Sequence, residues 1–538
     1  MQQLAGLIAM SAETLTRLKF WVVKRFDLLC ILLAIIYSLP SLGYPFGRDQ
    51  AAHYYIGREW LNGLLPFRDA FDQKPPGIYL VHALSIILFG ARQWAIRIMD
   101  LAALLVIGFT AWRAVRRSTP RVPGELGLLI LFAAGFYYTT FDFWDTGQVE
   151  TWEGLTLIAG YAVGVSSIRS WLRAVLSGAL AGMAFIFKMP AAVVAVPIAL
   201  AVACYAWGNA REQRIQCALQ ALCLYASGVL MVSGVCALYF ALQGGLADMI
   251  EVLFGYNVYY ALHKPTPLAM GNEWARSFWF DHCDVWVVLT LVLWSAGIAG
   301  AAKRRDWHLV RGAVTALLLC ICAAATVWIQ HKFYSYHWVV VAPFLILCAG
   351  YGIVEGLRTY PRITAVVVIM GILLGIDTAP PWITNNKVTY GSVTSSFWKY
   401  VCGYQGRTAY LEKFTGGYGY NYLQQEYMGE TIRGRAQPGD QVIVRGFEPA
   451  IYAVSGLRCP SRFFADFPLT DPLVKNYNTT TWPAEHERAC WTDPPRFVVS
   501  FTRNSRDVKA IIDRGYYKAA YAGRFVLLQR TTQQDVVQ

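Results

Sequence analysis

Apolar runs separated by short polar connections set the frame of the chain. Eleven of them approach the roughly 20 residues that cross a bilayer: Phe26–Gly43, Arg97–Trp112, Leu126–Thr140, Thr151–Ser167, Val175–Phe187, Ala191–Trp207, Leu219–Leu242, Val285–Ala302, Ala313–Ile329, Val339–Ile353 and Ile363–Ile376. A further run, Gly77–Phe89, is apolar but short. Basic residues collect at alternate ends of the runs. Lys19, Lys24 and Arg25 precede the first, and RAVRRSTPR, RSWLR, NAREQR, KRRDWHLVR and EGLRTYPR follow later ones. Positive charge stays in the cytoplasm. All these clusters fall on one side if Gly77–Phe89 lies at the interface or re-enters instead of crossing. The pattern therefore predicts a polytopic α-helical membrane protein of about 11 transmembrane helices plus interfacial helices. The loops at 44–92, 141–151, 243–284 and 330–338 emerge on the outer face. An odd number of crossings places the remainder, 380–538, outside as well, so the chain divides into a membrane domain, 1–379, and a soluble extracytoplasmic domain. Met1–Lys24 is mildly amphipathic and carries no signal cleavage site, so the first apolar run is expected to be a retained anchor.

The tail has a different rhythm. Gly416–Arg433 is rich in Gly and Tyr and then helix-like, Pro438-Gly439-Asp440 signals a turn, and Gln441–Arg445, Arg496–Phe501 and Arg524–Gln529 read as strands, with Glu448–Ser455 a short helix. Alternating strands and helices predict a small α/β domain. Outside the cytoplasm, Cys459 and Cys490 could pair.

Composition supports the membrane reading: 56% of the 538 residues are hydrophobic and 15% charged, against roughly 25% charged in soluble proteins. The formal charge of +13 sits largely in the short basic connections, so it reports topology and not nucleic-acid binding. The 19 Trp and 31 Tyr suit membrane-interface belts.

Chemical potential concentrates in the outer loops. Gly47–Gly77, GRDQAAHYYIGREWLNGLLPFRDAFDQKPPG, holds more charge than a connector between helices needs. Asp49 closely follows the first span, where a carboxylate can accept a proton or bind a metal, although an Asp there can equally cap a helix. His53 lies one helical turn on, with Arg58 beyond it. Lys74 precedes Pro75-Pro76. Proline restricts the preceding residue to extended geometry, which makes a stiff arm presenting an ammonium at headgroup depth, suited to a lipid phosphate. The second loop supplies Asp142, Asp145, Glu150 and Glu153. Glu150 is the candidate second catalytic carboxylate, and Asp142 and Asp145 are candidates for a divalent cation, whose involvement the sequence leaves open. Lys188 interrupts an apolar run, where an ionisable group marks function by default. HKFYSYHW adds Lys332 and His337 as candidates for a phosphate or sugar, with Tyr334 and Trp338 assigned to an aromatic belt. Asn272, Glu273 and Trp274 lie in a ring-rich loop that fits interface anchoring better than sugar stacking.

The first loop resembles that of the GT-C-fold glycosyltransferases, within them the protein mannosyltransferase and lipid A aminoarabinose transferase superfamily. The resemblance rests on Asp49, Trp60-Leu61-Asn62-Gly63, Pro66, Lys74-Pro75-Pro76, Phe89-Gly90 and Ile96-Arg97, then GALAGMAFIFKMPA and the tail PGDQVIVRGFEPAIYAVSGLRCPSRF. It implies a GT-C-like membrane domain in the bacterial cytoplasmic membrane and an inverting transfer of one sugar. The donor would be a polyprenyl-phosphate-linked sugar, and the acceptor a cell-envelope glycan, a lipid or a protein at the bilayer's outer face. Asp49 would act as general base, Lys74 would contact the donor phosphate, and the family's second-loop acid is carried to Glu150. The alternative is a transporter or flippase of lipid-linked sugars, which would bury charge along a central path instead of gathering it on one face.

Overall fold

The computed structural model describes residues 25–116, 122–210, 212–376 and 389–531. The amphipathic start with Lys19 and Lys24, the end of the first basic cluster at Arg117 and Arg121, Arg211, and the domain boundary after residue 379 lie outside the described residues.

Each of the eleven apolar runs is a helix. Eight helical segments, among them Arg25–Gly43, Gln93–Val115, Arg214–Leu242 and Trp307–Gln330, are long and apolar enough to cross a membrane. Glu125–Thr140, Val149–Gly164 and Pro361–Gly375 are shorter, about 23–24 Å by helical rise. The first two compensate by position: nearly every side chain of Glu125–Thr140 is buried in the bundle, so it need not match the lipid thickness. Gly77–Phe89, at 13 residues or about 20 Å, keeps the short length that set it apart in the sequence.

Local chemistry ends the helices where the pattern changes. Asp306 caps Trp307–Gln330 by accepting from the Leu309 amide at 3.1 Å. Pro361 starts the next helix after Tyr360. Gly90, at φ 78°, closes Gly77–Phe89. Small residues bring helices close: a Cβ on Gly178 would lie 1.9 Å from the Tyr225 carbonyl oxygen, so Ser170–Phe187 and Arg214–Leu242 can pack backbone to backbone. Leu32, Leu33 and Ile36 of the first helix, and Leu230 and Val235 of Arg214–Leu242, are exposed, the surface a bilayer would cover.

The C-terminal region carries a two-stranded ribbon, β1 (Thr415–Gly416) with β2 (Tyr420–Asn421), and a four-stranded sheet. The sheet contains β3 (Val442–Val444), β4 (Phe497–Phe501), β5 (Tyr516–Ala522) and β6 (Phe525–Arg530), in the order β3-β4-β6-β5. β3 and β4 are parallel; β6 pairs antiparallel with both neighbours. Three strands and the Ala450–Ser455 helix fall where the sequence puts them. β5 was missed because YYKAAYA forms a half-exposed edge without strict alternation.

The sheet's two faces serve different cores. Ile443, Val498, Val526 and Leu528 pack with Cys490, Val508 and Ile511. Val444, Phe497, Val499 and Leu527 join a second core with Tyr54, Tyr55, Phe67 and Phe71 of the first polar loop. The tail and that loop therefore share one hydrophobic core. Cys459 belongs to this second core and Cys490 to the first, and both are free thiols. The pairing that the sequence left open between them is not formed: they are packed into cores on opposite faces of the sheet.

Candidate active site

The first polar loop folds as a helix, Arg48–Leu61, followed by the turn that carries Lys74. Gly47 is its N-cap, and Gln50 closes the turn by accepting from the Gly47 amide at 2.6 Å. Asp49 is thus in the first turn without serving as the cap. No hydrogen bond or ion pair engages its carboxylate among the described residues, and it lines a cavity of about 250 Å³. The Gln50 amide nitrogen donates to the Phe143, Trp144 and Thr146 carbonyls at 2.8–3.0 Å. Arg97, fully buried, donates to the same strip, to the Phe143 and Thr146 carbonyls and the Thr146 hydroxyl, and to Pro45. Asp100 accepts from Gly147 N at 2.9 Å. The second loop is therefore fastened across the start of the Asp49 helix, and the Arg97 noted in the sequence is a clamp for both loops.

Lys74 faces the Asp49 cavity together with Asp72, Trp144, Tyr260, Tyr334 and Tyr336. Gly77 allows this placement: a Cβ there would meet the Phe187 ring at 2.7 Å and the Ile186 carbonyl oxygen at 2.8 Å, so only glycine lets the Lys-Pro-Pro arm lie against the end of the Lys188 helix. Burial works against the Lys74 ammonium, but Asp49, Asp72 and Glu150 together hold its pKa above the ordinary lysine value. It stays charged. Asp72 is pushed upward by burial and by Asp49, against the pull of Lys74. Its carboxylate accepts from the Gln73 amide at 2.7 Å and from the Tyr79 hydroxyl at 3.1 Å.

A second cavity of about 400 Å³ shares Gln73, Lys74, Tyr260, Tyr334 and Tyr336 with the first. Its polar end holds Lys188, Lys332 and His337, and its apolar wall includes Leu253, Val258, Ala261 and Ile329. Lys188 forms a buried ion pair with Glu150. His337 Nε2 lies 3.8 Å from the same carboxylate. Lys332 sits 4.0 Å over the Tyr260 ring and donates to the Lys264 carbonyl. Burial and the neighbouring Lys264 lower its pKa to about 8, partly opposed by Asp471.

Six of the ten residues singled out in the sequence thus gather around two joined cavities: Asp49, Lys74, Lys188, Lys332 and His337 on the walls, with Glu150 behind Lys188. Four do not join them. His53 is fully buried beneath Asp72, its Nε2 3.8 Å from that carboxylate, and burial together with Lys74 and His82 keeps it neutral. Arg58 turns to the C-terminal domain and donates to the Tyr452 and Leu457 carbonyls at 3.1 and 3.0 Å. Asp142 accepts from the Trp144 amide at 2.7 Å, and Asp145 from the Ser335 hydroxyl at 2.6 Å. These carboxylates shape loops.

Sequence reasoning placed Tyr260, Lys264 and Tyr336 in ring-rich outer loops without giving them a role, missed Phe447, Phe467 and Asp471, and assigned Tyr334 to a belt although it lines both cavities. Asp72, two residues before Lys74, was the one local signal available. Trp338 is fully buried among Phe278, Trp279 and Trp328, so it is core and not belt. Asn272 accepts from Trp328 Nε1 at 2.9 Å and lines neither cavity.

Residues 73–238 match the family described as dolichyl-phosphate-mannose-protein mannosyltransferase. The crystal structure of ArnT from Cupriavidus metallidurans in the apo state is similar over 95% of this chain and all of that one, with a TM-score of 0.59 at 14% identity. The same protein bound to undecaprenyl phosphate gives 0.60 at 15% identity, over 94% of this chain and 98% of that one. No individual curated protein matches the sequence. Together the fold and the family match define a membrane glycosyltransferase of the GT-C fold. The family match spans under a third of the chain, and within that class the first loop resembles that of the protein mannosyltransferase and lipid A aminoarabinose transferase superfamily.

Proposed function

We propose that the protein transfers a single sugar, with inversion, from a polyprenyl-phosphate donor to an acceptor hydroxyl or amine at the outer face of the cytoplasmic membrane. The C-terminal domain would be extracytoplasmic, roofing the site with Phe447, Phe467 and Asp471. The observation that carries this reading is the pairing of an unengaged carboxylate, Asp49, with a charged Lys74 in one cavity, which opens onto a second with further cations and an apolar wall. A phosphate suits the cations and a prenyl chain suits the wall. The relative whose solved structure holds undecaprenyl phosphate has the same fold.

In the reaction, Lys74 holds the phosphate oxygens, aided by Lys332 at the groove. Asp49 takes the proton of the acceptor as its oxygen or nitrogen attacks the anomeric carbon. The bond from that carbon to the phosphate oxygen breaks, and the polyprenyl phosphate leaves with its electron pair. Because phosphate is already a good leaving group, positioning and charge stabilisation carry the catalysis. Glu150, held against Lys188, contributes negative charge that keeps Lys74 protonated. A divalent cation does not fit the residues suggested for it: Asp142 and Asp145 are occupied by Trp144 and Ser335, and no group of three or more His, Cys, Asp or Glu side chains among the described residues could hold a metal.

The test is transfer from a panel of radiolabelled polyprenyl-phosphate sugars in membranes carrying wild type or Asp49→Asn. Loss of a positioned base lowers the rate by about 10²–10⁴-fold. Undiminished transfer by the folded variant would refute the role of Asp49. Absence of transfer by wild type from every donor would refute the reaction.

A further inference from the structure

A cavity of about 570 Å³ takes no part in the chemistry above. It lies between the end of the first helix, the corner at Ala91–Trp94, and the C-terminal domain helices Tyr390–Val401 and Tyr422–Arg435. Its volume is in the range of small-ligand sites. One wall is Tyr44–Phe46, the segment that leads into the Asp49 helix. Arg97 donates to the Pro45 carbonyl at 2.7 Å, and Phe46 N donates to Gln93 Oε1 at 3.2 Å, which fixes this wall. Asp49 follows Phe46 by three residues, at most about 11 Å of chain. The donor groove, with Lys188 and Lys332, is formed by other elements.

The lining combines flat rings with neutralised charge. Tyr400 and Tyr410 stack with centroids 5.2 Å apart and planes 6° from parallel. Arg407 pairs with Glu426, and Arg433 with Glu430 at 3.1 Å. The Tyr410 hydroxyl, in a residue 2% exposed, has no hydrogen-bond partner, so a buried wall keeps an unused polar atom. Trp94, 40% exposed, stands on the corner beyond the Gly77–Phe89 helix, whose end exposes Ile87 and Leu88. An acyl chain would desolvate five charged side chains here without compensation. Of the three guanidinium groups a phosphate could use, Arg407 and Arg433 are already paired with carboxylates, and only Arg92, on the exposed corner, is not paired among the described residues. A sugar ring fits both features: its C–H faces lie on aromatic rings, and its hydroxyls can both donate to carboxylates and accept from guanidinium and phenol groups.

We infer that this cavity binds a saccharide, the glycan part of the acceptor, and delivers it along the Tyr44–Phe46 wall to Asp49. The inference rests on the transfer proposed above, and its test separates the two. Full-length protein in nanodiscs is examined by saturation-transfer NMR with maltotriose, chitotriose, and the delipidated polysaccharide of lipopolysaccharide, each for wild type, Trp94→Ala, Tyr400→Ala and Asp49→Asn. Saturation of at least one glycan is expected in wild type and in Asp49→Asn, with loss in the two cavity variants. In the transfer assay Trp94→Ala and Tyr400→Ala should raise the acceptor KM by about tenfold and leave the donor KM at the wild-type value. Circular dichroism checks that both remain folded. Intact lipopolysaccharide is the comparison probe: binding of the intact lipid alone, with no delipidated glycan binding, means that lipid and not sugar is recognised, and overturns the inference. So does saturation of no glycan, or saturation indifferent to Trp94 and Tyr400. If wild type transfers nothing but binds a glycan in this cavity, the transferase reading falls and the saccharide site stands.

Discussion

The Glu150–Lys188 pair allows the sharpest test of how the site is held. Both side chains are nearly inaccessible, at 1% and 9% exposure. One carboxylate oxygen of Glu150 meets Lys188, and the other has no hydrogen-bond partner. His337, at 3.8 Å, is too far to hydrogen-bond to it. Lys188→Met keeps the volume and removes the ammonium, leaving a buried carboxylate without a close partner. Such a loss costs about 3–5 kcal/mol, because the remaining charge has been taken out of water with nothing to offset it. Lys188→Met combined with Glu150→Gln removes both charges. What remains is a buried amide short of partners, at about 1–3 kcal/mol. The two substitutions should therefore couple by at least about 2 kcal/mol in a double-mutant cycle. The assay is denaturant unfolding in mixed micelles on wild type, both singles and the double, alongside transfer from the labelled donor. Lys188→Met within about 1 kcal/mol of wild type, or a double variant as unstable as the sum of its singles, would refute the reasoning. Transfer by the double variant then tells positioning from chemistry: if Glu150 only keeps Lys188 and Lys74 in place, the refolded double retains activity above the Lys188 single.

Two further outcomes follow from the cations. Lys74→Ala should raise the donor KM by roughly 10- to 150-fold, corresponding to the about 1.5–3 kcal/mol of a hydrogen bond to a charged group, and Lys74→Arg should restore only part of it, because the arm presents a point charge and not a fork. A donor KM unchanged in Lys74→Ala would remove Lys74 from phosphate binding. Lys332, lowered to about 8, loses its charge as pH rises through that value, so donor affinity should fall between about pH 7 and 9. Lys332→Arg, which stays protonated, should flatten that fall, and a wild-type profile level to pH 9 would exclude Lys332 from the donor groove.

The positions of the helices were legible because a bilayer imposes one coarse rule: about 20 apolar residues per crossing, with basic residues at alternate ends. Short helices such as Glu125–Thr140 needed the structure, since their surroundings are protein and not lipid. Asp49 and Lys74 stood out because charge is conspicuous beside apolar spans and because Pro75-Pro76 constrains the lysine locally. Arg58 and His53 stood out for the same reason yet belong elsewhere, one turned to the C-terminal domain and the other beneath Asp72. Residue type and spacing along a helix define a face, but not what packs on it.

By itself, then, the sequence determined the membrane class, the places of the apolar helices, and three of the four strands of the C-terminal sheet, because each depends on local pattern and on the solvent a segment must meet. Only the tertiary structure decided that Tyr260, Tyr334, Tyr336 and Asp471 complete the cavity, that the C-terminal sheet shares its core with the Asp49 helix, and that a ring-lined cavity opens behind Tyr44–Phe46. Those groups come from positions far apart in the chain. Their meeting is set by how the helices and the sheet pack against one another, which no short stretch of residues encodes.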